Sequence, residues 1–149
     1  SGDGDPDYVA SLERKIADER IRRLAIVGPR SEEDKWGFLA SADLLILPTY
    51  SENFGIVVAE ALAVGIPVIT TQGTPWQDLE SHGCGWWAKP SVPGLTGALR
   101  EAFAKQPEQL EAMGIRGRKL VEEDYDIRNV ALRIRDWYQS LMTATGSPS

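Results

Sequence analysis

The chain holds one cysteine, Cys84, and one histidine, His82. One cysteine excludes an internal disulfide and a cysteine-built zinc site, and one histidine excludes a metal centre made of several imidazoles. No apolar run reaches the roughly 18 residues that a membrane-spanning helix requires. Residues 44–47 are of strand length, and the run over 61–69 is broken by Gly65 and Pro67. A basic excess is also missing. The formal net charge is -6, so nucleic acid is not an expected partner, and an anionic ligand has to be held by local donors. The first residues do not read as a signal peptide, and a reducing, cytoplasmic setting is expected.

With 149 residues, 42% hydrophobic and 26% charged, the chain has the length and composition of one domain with a real core. Asp5 before Pro6 is a helix start, and Tyr8, Val9, Leu12 and Ile16 recur at helical spacing over residues 6–20. Residues 24–27 are a short apolar run ending at Gly28-Pro29, which predicts a buried parallel-type strand. Ser31 with Asp34 resembles a capping box ahead of a helix carrying Trp36, Leu39 and Ala40. Residues 44–47 predict the next strand, 54–64 a helix stopped by Gly65, and 68–71 a further strand. A short helix over 77–81, a strand near 86–88 and helices near 93–104, 107–123 and 127–142 complete the order, with a polar tail over 143–149. Strands alternating with helices predict an α/β fold with a parallel sheet. Ligands of such sheets bind at the carboxyl ends of the strands, which selects the loops over 28–35, 49–55 and 71–76.

The stretch from Thr49 to Leu62 stands out on physical grounds. Glu52 follows a strand, and Asn53-Phe54-Gly55 stand at a helix start, where unpaired backbone N–H groups can hold an anion or several oxygens. Gly55 allows a ligand to approach the backbone. Glu60 stands in a helix whose other residues, from Ile56 to Val64, are apolar. A helix apolar all round is a buried helix, and a carboxylate inside it needs a hydrogen-bond partner. That partner is either a protein donor or a ligand diol such as a ribose offers.

The order Ala42-Asp43-Leu44-Leu45-Ile46-Leu47-Pro48, then Glu52 and Glu60 separated by seven residues, then Ala61-Leu62-Ala63-Val64-Gly65-Ile66-Pro67-Val68-Ile69, resembles family 4 (group 1) glycosyltransferases of GT-B fold. Gly28-Pro29 with Lys35, Gly73-Thr74-Pro75-Trp76 and Gly83-Cys84-Gly85-Trp86-Trp87 extend the resemblance over about residues 6–142. It is to the C-terminal, nucleotide-sugar-binding domain, a Rossmann-like parallel sheet flanked by helices. The resemblance implies that Glu52 is the catalytic-centre carboxylate at the donor sugar. It implies that Asn53, Phe54, Gly55 and Ile56 line the sugar and diphosphate, and that Glu60 binds the ribose. The loop with Arg30 and Lys35 would face the nucleobase, although Arg30 stands where an apolar residue is common. The activity implied is transfer of a hexose with retention from a nucleoside diphosphate sugar to an acceptor hydroxyl, in synthesis of bacterial surface polysaccharide or lipopolysaccharide. No metal or other cofactor is expected. The acceptor is a sugar or a lipid-linked sugar, and peripheral placement on the inner membrane face is compatible with it.

Compared with that family, two strands and a helix are absent ahead of residue 6, with the basic residues that clamp the diphosphate and the whole acceptor domain. The missing strands would lie between residues 24–27 and 44–47. A truncated donor domain, inactive alone, is therefore expected. Its sheet would close the gap, exchange elements with another copy through self-association, or form poorly. A nucleotide-sugar epimerase and a non-catalytic nucleotide-binding module are the alternatives, the first needing a base for which His82 is the only imidazole. His82 is expected in a solvated loop, Cys84 as a small buried packer, and Arg116 to Lys119 as a solvated helix face, with a membrane patch as the alternative. Trp86 and Trp87 should point to opposite sheet faces, with sugar stacking as the alternative use of one. Trp76 has an acceptor-side contact as the alternative to a structural role.

Overall fold

The structure, a computed structural model, describes residues 5–19, 24–28, 31–51 and 55–125. It divides into two compact units, residues 1–35 and 36–149. The first carries α1 (Pro6–Asp18) and the start of α2 (Glu32–Ala40). Asp5 caps α1 by accepting a hydrogen bond from the Asp7 N–H at 3.0 Å, with Pro6 at the first helical position. At the start of α2 the Asp34 N–H donates to Ser31 Oγ (3.2 Å), and that hydroxyl donates to Asp34 Oδ2 (2.7 Å). The capping reading of both starts is borne out.

The strand expected over residues 24–27 is corrected. No strand forms there, and Leu24, Ile26 and Val27 stay exposed. A strand cannot pair its own peptide groups, so four apolar residues become one only beside a sheet edge. No strand pairs with this segment among the described residues. Closure of the gap by these residues is therefore not seen.

The second unit is built on a parallel sheet in the order β1 (Leu45–Leu47), β2 (Val68–Thr71), β3 (Gly85–Ala88). Leu45 pairs with Val68, and Val68 in turn with Gly85. Helices α3 (Ile56–Ala63), α4 (Asp78–Ser81), α5 (Val92–Phe103) and α6 (Pro107–Leu120) flank it, and a π-helical turn, Val121–Tyr125, prolongs α6. All four residues of β2 are buried, as a central parallel strand requires. Side chains alternate between two cores. Val68, Cys84, Val58, Leu62, Leu79, Trp76 and Leu120 fill one. Ile69, Trp86, Ala98, Ala102 and Met113 fill the other. Each fully buried large apolar side chain contributes about 1.5–3 kcal/mol.

Two glycine-terminated helix ends lock α6 onto the sheet unit. Gly65 (φ 82°) lies just beyond α3; its N–H donates to the Leu62 carbonyl and the Ile66 N–H to that of Ala61, both at 2.9 Å. Gly83 (φ 59°) ends α4 in the same way, through Glu80 (3.0 Å) and Leu79 (2.9 Å). This six-to-one pattern requires a left-handed residue, and glycine adopts it without a Cβ clash. Arg118 Nε then donates to the Ala63 carbonyl (3.0 Å), and Arg116 donates to Gly83 O through Nε (3.0 Å) and Nη2 (2.7 Å). The expected solvated basic face is thus also a set of donors to the carboxyl ends of α3 and α4. No helix among the described residues is long and apolar enough to cross a membrane. The helix expected over 127–142 and the tail over 143–149 lie outside the described residues.

Candidate functional site

Strand polarity separates the two ends of the sheet. The larger cavity, about 470 Å³, is bordered by Asp43, Leu44, Ile66 and Pro67, which precede β1 and β2. It therefore opens at the amino ends, where parallel sheets do not bind their ligands. A smaller one of about 140 Å³ lies at the carboxyl ends, between Pro48, Thr49, Tyr50, Thr71, Pro90 and Val92. Of the loops expected at strand carboxyl ends, residues 49–51 and 71–76 fall at this end, whereas the loop over 28–35 follows no strand among the described residues.

Those two loops are brought together by β1–β2 register. Thr70 Oγ1 donates to the Leu47 carbonyl at 3.0 Å. One residue on, the Thr49 N–H donates to Thr71 Oγ1 at 3.2 Å, and the same hydroxyl donates to the Thr49 carbonyl. Gly73 then lies against the turn at Tyr50, where a Cβ would come within 2.3 Å of the Tyr50 carbonyl oxygen. Behind this, Thr74 Oγ1 donates to Thr71 O (2.9 Å), and Trp87 Nε1 donates to Thr74 O (3.0 Å).

The helix start that follows has the geometry expected of an oxygen-binding backbone. Gly55 is buried and left-handed, φ 67° and ψ 58°. The Val58 N–H donates to Gly55 O at 2.8 Å, so the N–H groups of Ile56 and Val57 have no acceptor inside the helix. The helix itself starts at Ile56, not at residue 54. Its expected burial on all sides is also corrected. Val58, Ala61 and Leu62 are buried, whereas Ile56 is 66% exposed and Glu60 half-buried. Residues four apart share a helix stripe, so Glu60 lies on the open stripe begun by Ile56. A composition count over the helix hides this, because one polar position on the open stripe is enough for an amphipathic packing against α6. Glu60 has an interaction partner within the structure, so its carboxylate is not stranded.

Gly55, Ile56 and Glu60 thus lie on one short element that follows the 49–51 turn in the sequence. Lys35 is half-buried on α2 in the chain's other unit. Glu52, Asn53, Phe54 and Arg30 lie outside the described residues. Among the described residues, no three His, Cys, Asp or Glu side chains cluster as a metal would require.

Trp76, Trp86 and Trp87 pack within the fold. Trp86 is buried and donates from Nε1 to Glu101 Oε2 at 3.0 Å, while Trp87 packs against the opposite core. The alternation of faces is borne out, and the hydrogen bonds of both indoles run to protein acceptors. Trp76 has no exposed surface and its ring meets Tyr125 at a centroid distance of 4.6 Å. An acceptor-side contact by Trp76 is thereby corrected: the side chain lies in the core. His82 is exposed at the end of α4, with Nδ1 bonded to the Asp78 carbonyl at 2.9 Å. Cys84 is fully buried, and its thiol is pushed up to about 11, chiefly by burial. What the sequence reading missed is the Thr71 hydroxyl. A signal was present: a threonine at a strand end, followed two residues later by glycine.

A family model, "Glycosyl transferases group 1", matches residues 3–120. A curated relative, D-inositol 3-phosphate glycosyltransferase from Mycobacterium sp. (strain KMS), is 32% identical over 98 residues. That match covers 59% of the chain and 22% of the relative. The homologue of the same description from Mycolicibacterium vanbaalenii is 26% identical over 120 residues, 74% of the chain and 24% of the relative. Among solved structures, sucrose-phosphate synthase from Thermosynechococcus elongatus superposes with a TM-score of 0.79 at 25% identity, over 97% of this chain and 38% of that one. The Anabaena protein Alr3699/HepE in complex with UDP-glucose superposes with a TM-score of 0.75 at 20% identity, over 93% and 38%. The chain therefore spans a fraction of the length of the proteins it matches.

Proposed function

Since the chain belongs to the group 1 glycosyl transferases, we propose that it supplies the donor side of a site that transfers a hexose, with retention, from a nucleoside diphosphate sugar to an acceptor hydroxyl. The observation that carries this reading is the start of α3. Buried, left-handed Gly55 opens a helix whose first N–H groups have no acceptor within it, and Glu60 follows on the open stripe. Those N–H groups and the positive end of the helix suit diphosphate oxygens. A carboxylate one turn further on suits the adjacent hydroxyls of a ribose. Glu52 is assigned to the transferred sugar, Asn53, Phe54, Gly55 and Ile56 to its surroundings, and Arg30 and Lys35 to the base side.

In the reaction, the bond from the anomeric carbon to the diphosphate oxygen breaks. A bond to the acceptor oxygen forms on the same face as the acceptor O–H bond breaks, its proton passing to the departing diphosphate. The barrier lies in charge developing on the leaving diphosphate and on the oxocarbenium-like carbon, which fixed N–H dipoles can stabilise. No metal is assigned a part. The Anabaena neighbour, crystallised with UDP-glucose, makes a uridine donor a reasonable first probe. The acceptor is a sugar or lipid-linked sugar of a surface polysaccharide or lipopolysaccharide pathway, met on the cytoplasmic side of the membrane. Because the matched relatives are several times longer, the transfer is assigned to an intact enzyme and not to these residues alone.

Calorimetric titration of the intact protein with UDP, GDP, ADP and their glucose esters tests the reading. One nucleotide series is expected to bind, unaffected by EDTA. A folded sample that binds none of them would favour a non-catalytic interaction module.

A further inference from the structure

We propose that Thr71 is a positioning residue for sugar transfer, setting the turn over residues 49–51 through a hydroxyl that both accepts from and donates to the Thr49 peptide groups. This rests on the donor-site reading above. Thr49, Tyr50 and Thr71 line one cavity at the carboxyl ends of the strands, and Glu52 is the next residue after the turn in the sequence.

Three consecutive contacts hold the turn, all from the second strand and its loop. Thr70 Oγ1 bonds the Leu47 carbonyl, Thr71 Oγ1 bonds the Thr49 N–H and carbonyl, and Gly73 abuts the Tyr50 carbonyl. Thr71 is 1% exposed. Its hydroxyl therefore serves the protein and not solvent, and its loss leaves two backbone groups without this partner. Only a side chain that donates and accepts from one atom can take both roles, which serine can and valine cannot. The clamp is itself backed by Thr74 Oγ1 on the Thr71 carbonyl and by Trp87 Nε1 on the Thr74 carbonyl. A chain of hydrogen bonds thus runs from β3 to the turn over residues 49–51. Transfer geometry is sensitive to small displacements of catalytic groups in a way that nucleotide binding, spread over many contacts, is not.

The test compares Thr71→Val with Thr71→Ser in the intact protein. UDP-glucose turnover is followed by UDP release, UDP affinity by calorimetry, and Thr49 amide exchange by NMR. Thr71→Val is expected to lower kcat about tenfold or more, to leave UDP affinity within about twofold, and to speed Thr49 exchange at least tenfold. Thr71→Ser is expected to restore both kcat and protection to within about threefold of the parent. Should the valine variant not fold, Gly73→Ala keeps the hydroxyl and pushes on the Tyr50 carbonyl, and the same split of kcat from affinity is expected. A folded valine or alanine variant with kcat within twofold of the parent overturns the proposal, as does serine failing to rescue. A parent protein that neither binds UDP nor turns over the sugar nucleotide is the separate failure of the donor-site reading, and the exchange of Thr49 still decides whether the clamp exists.

Discussion

Gly114 of α6 lies directly against the Gly65 carbonyl, so close that a Cβ on Gly114 would sit 1.8 Å from that oxygen. Gly65 is the left-handed residue that ends α3. The contact therefore couples the helix bearing Glu60 to α6. Gly117, one turn on, repeats it: a Cβ there would come within 2.7 Å of Leu62 Cδ2.

Gly114→Ala is expected to destabilise the fold by about 3 kcal/mol or more, since a backbone carbonyl cannot yield as a flexible side chain can. Gly97 of α5 has nothing within 4 Å of the same position. Gly97→Ala is expected to stabilise by roughly 0.5–1 kcal/mol through lower entropy of the unfolded chain. Urea unfolding of both variants checks the contrast. Equal midpoints would mean that the α3–α6 approach is not as close as described.

The Cys84 thiol has an ordinary value of 9.0 and stands at about 11 in the folded protein. Its folded value is raised, so the neutral thiol's contribution to stability is fully present below about pH 9. That contribution is lost as pH rises from there through about 11. The rise from 9.0 to about 11 also lowers the thiolate fraction at pH 8 about 100-fold. Labelling by iodoacetamide at pH 8 is therefore expected to be at least 100-fold slower in native protein than in urea. Comparable rates in the two states would contradict the burial of Cys84.

Glu60→Gln keeps the shape of the side chain and removes its charge. If the carboxylate holds a ribose diol, UDP affinity should fall about tenfold or more, the scale of a hydrogen bond to a charged acceptor. Stability should change by less than about 1 kcal/mol, because the residue is half-buried on the open stripe of α3. Calorimetry with UDP and a melting curve on the same sample separate the two effects. Unchanged affinity would remove the ribose role from Glu60.

Much of the architecture was legible in local signals. Asp5-Pro6, Ser31 with Asp34, and Gly65 after an apolar run each marked a helix boundary that the structure keeps. These signals work because a cap is satisfied by residues within a few positions of it. The strand over residues 24–27 was misread for the opposite reason. An apolar run can announce a strand, but the partner edge that makes it one is not recorded in the run itself. Glu60 was placed too deep because a composition of apolar residues does not say which stripe faces α6.

By itself, the sequence determined the family and the alternation of strands and helices, and it singled out Glu52, Gly55 and Glu60 as candidates for a sugar-nucleotide site. These follow from residue types at fixed spacing. Only the tertiary structure decided that Trp76 belongs to the core, that Gly114 and Gly117 admit α6 against α3, and that the Thr71 hydroxyl grips the turn at Thr49. Those facts depend on which atoms meet between residues 22 or more positions apart in the chain. Register and packing set such meetings, and no local pattern records them.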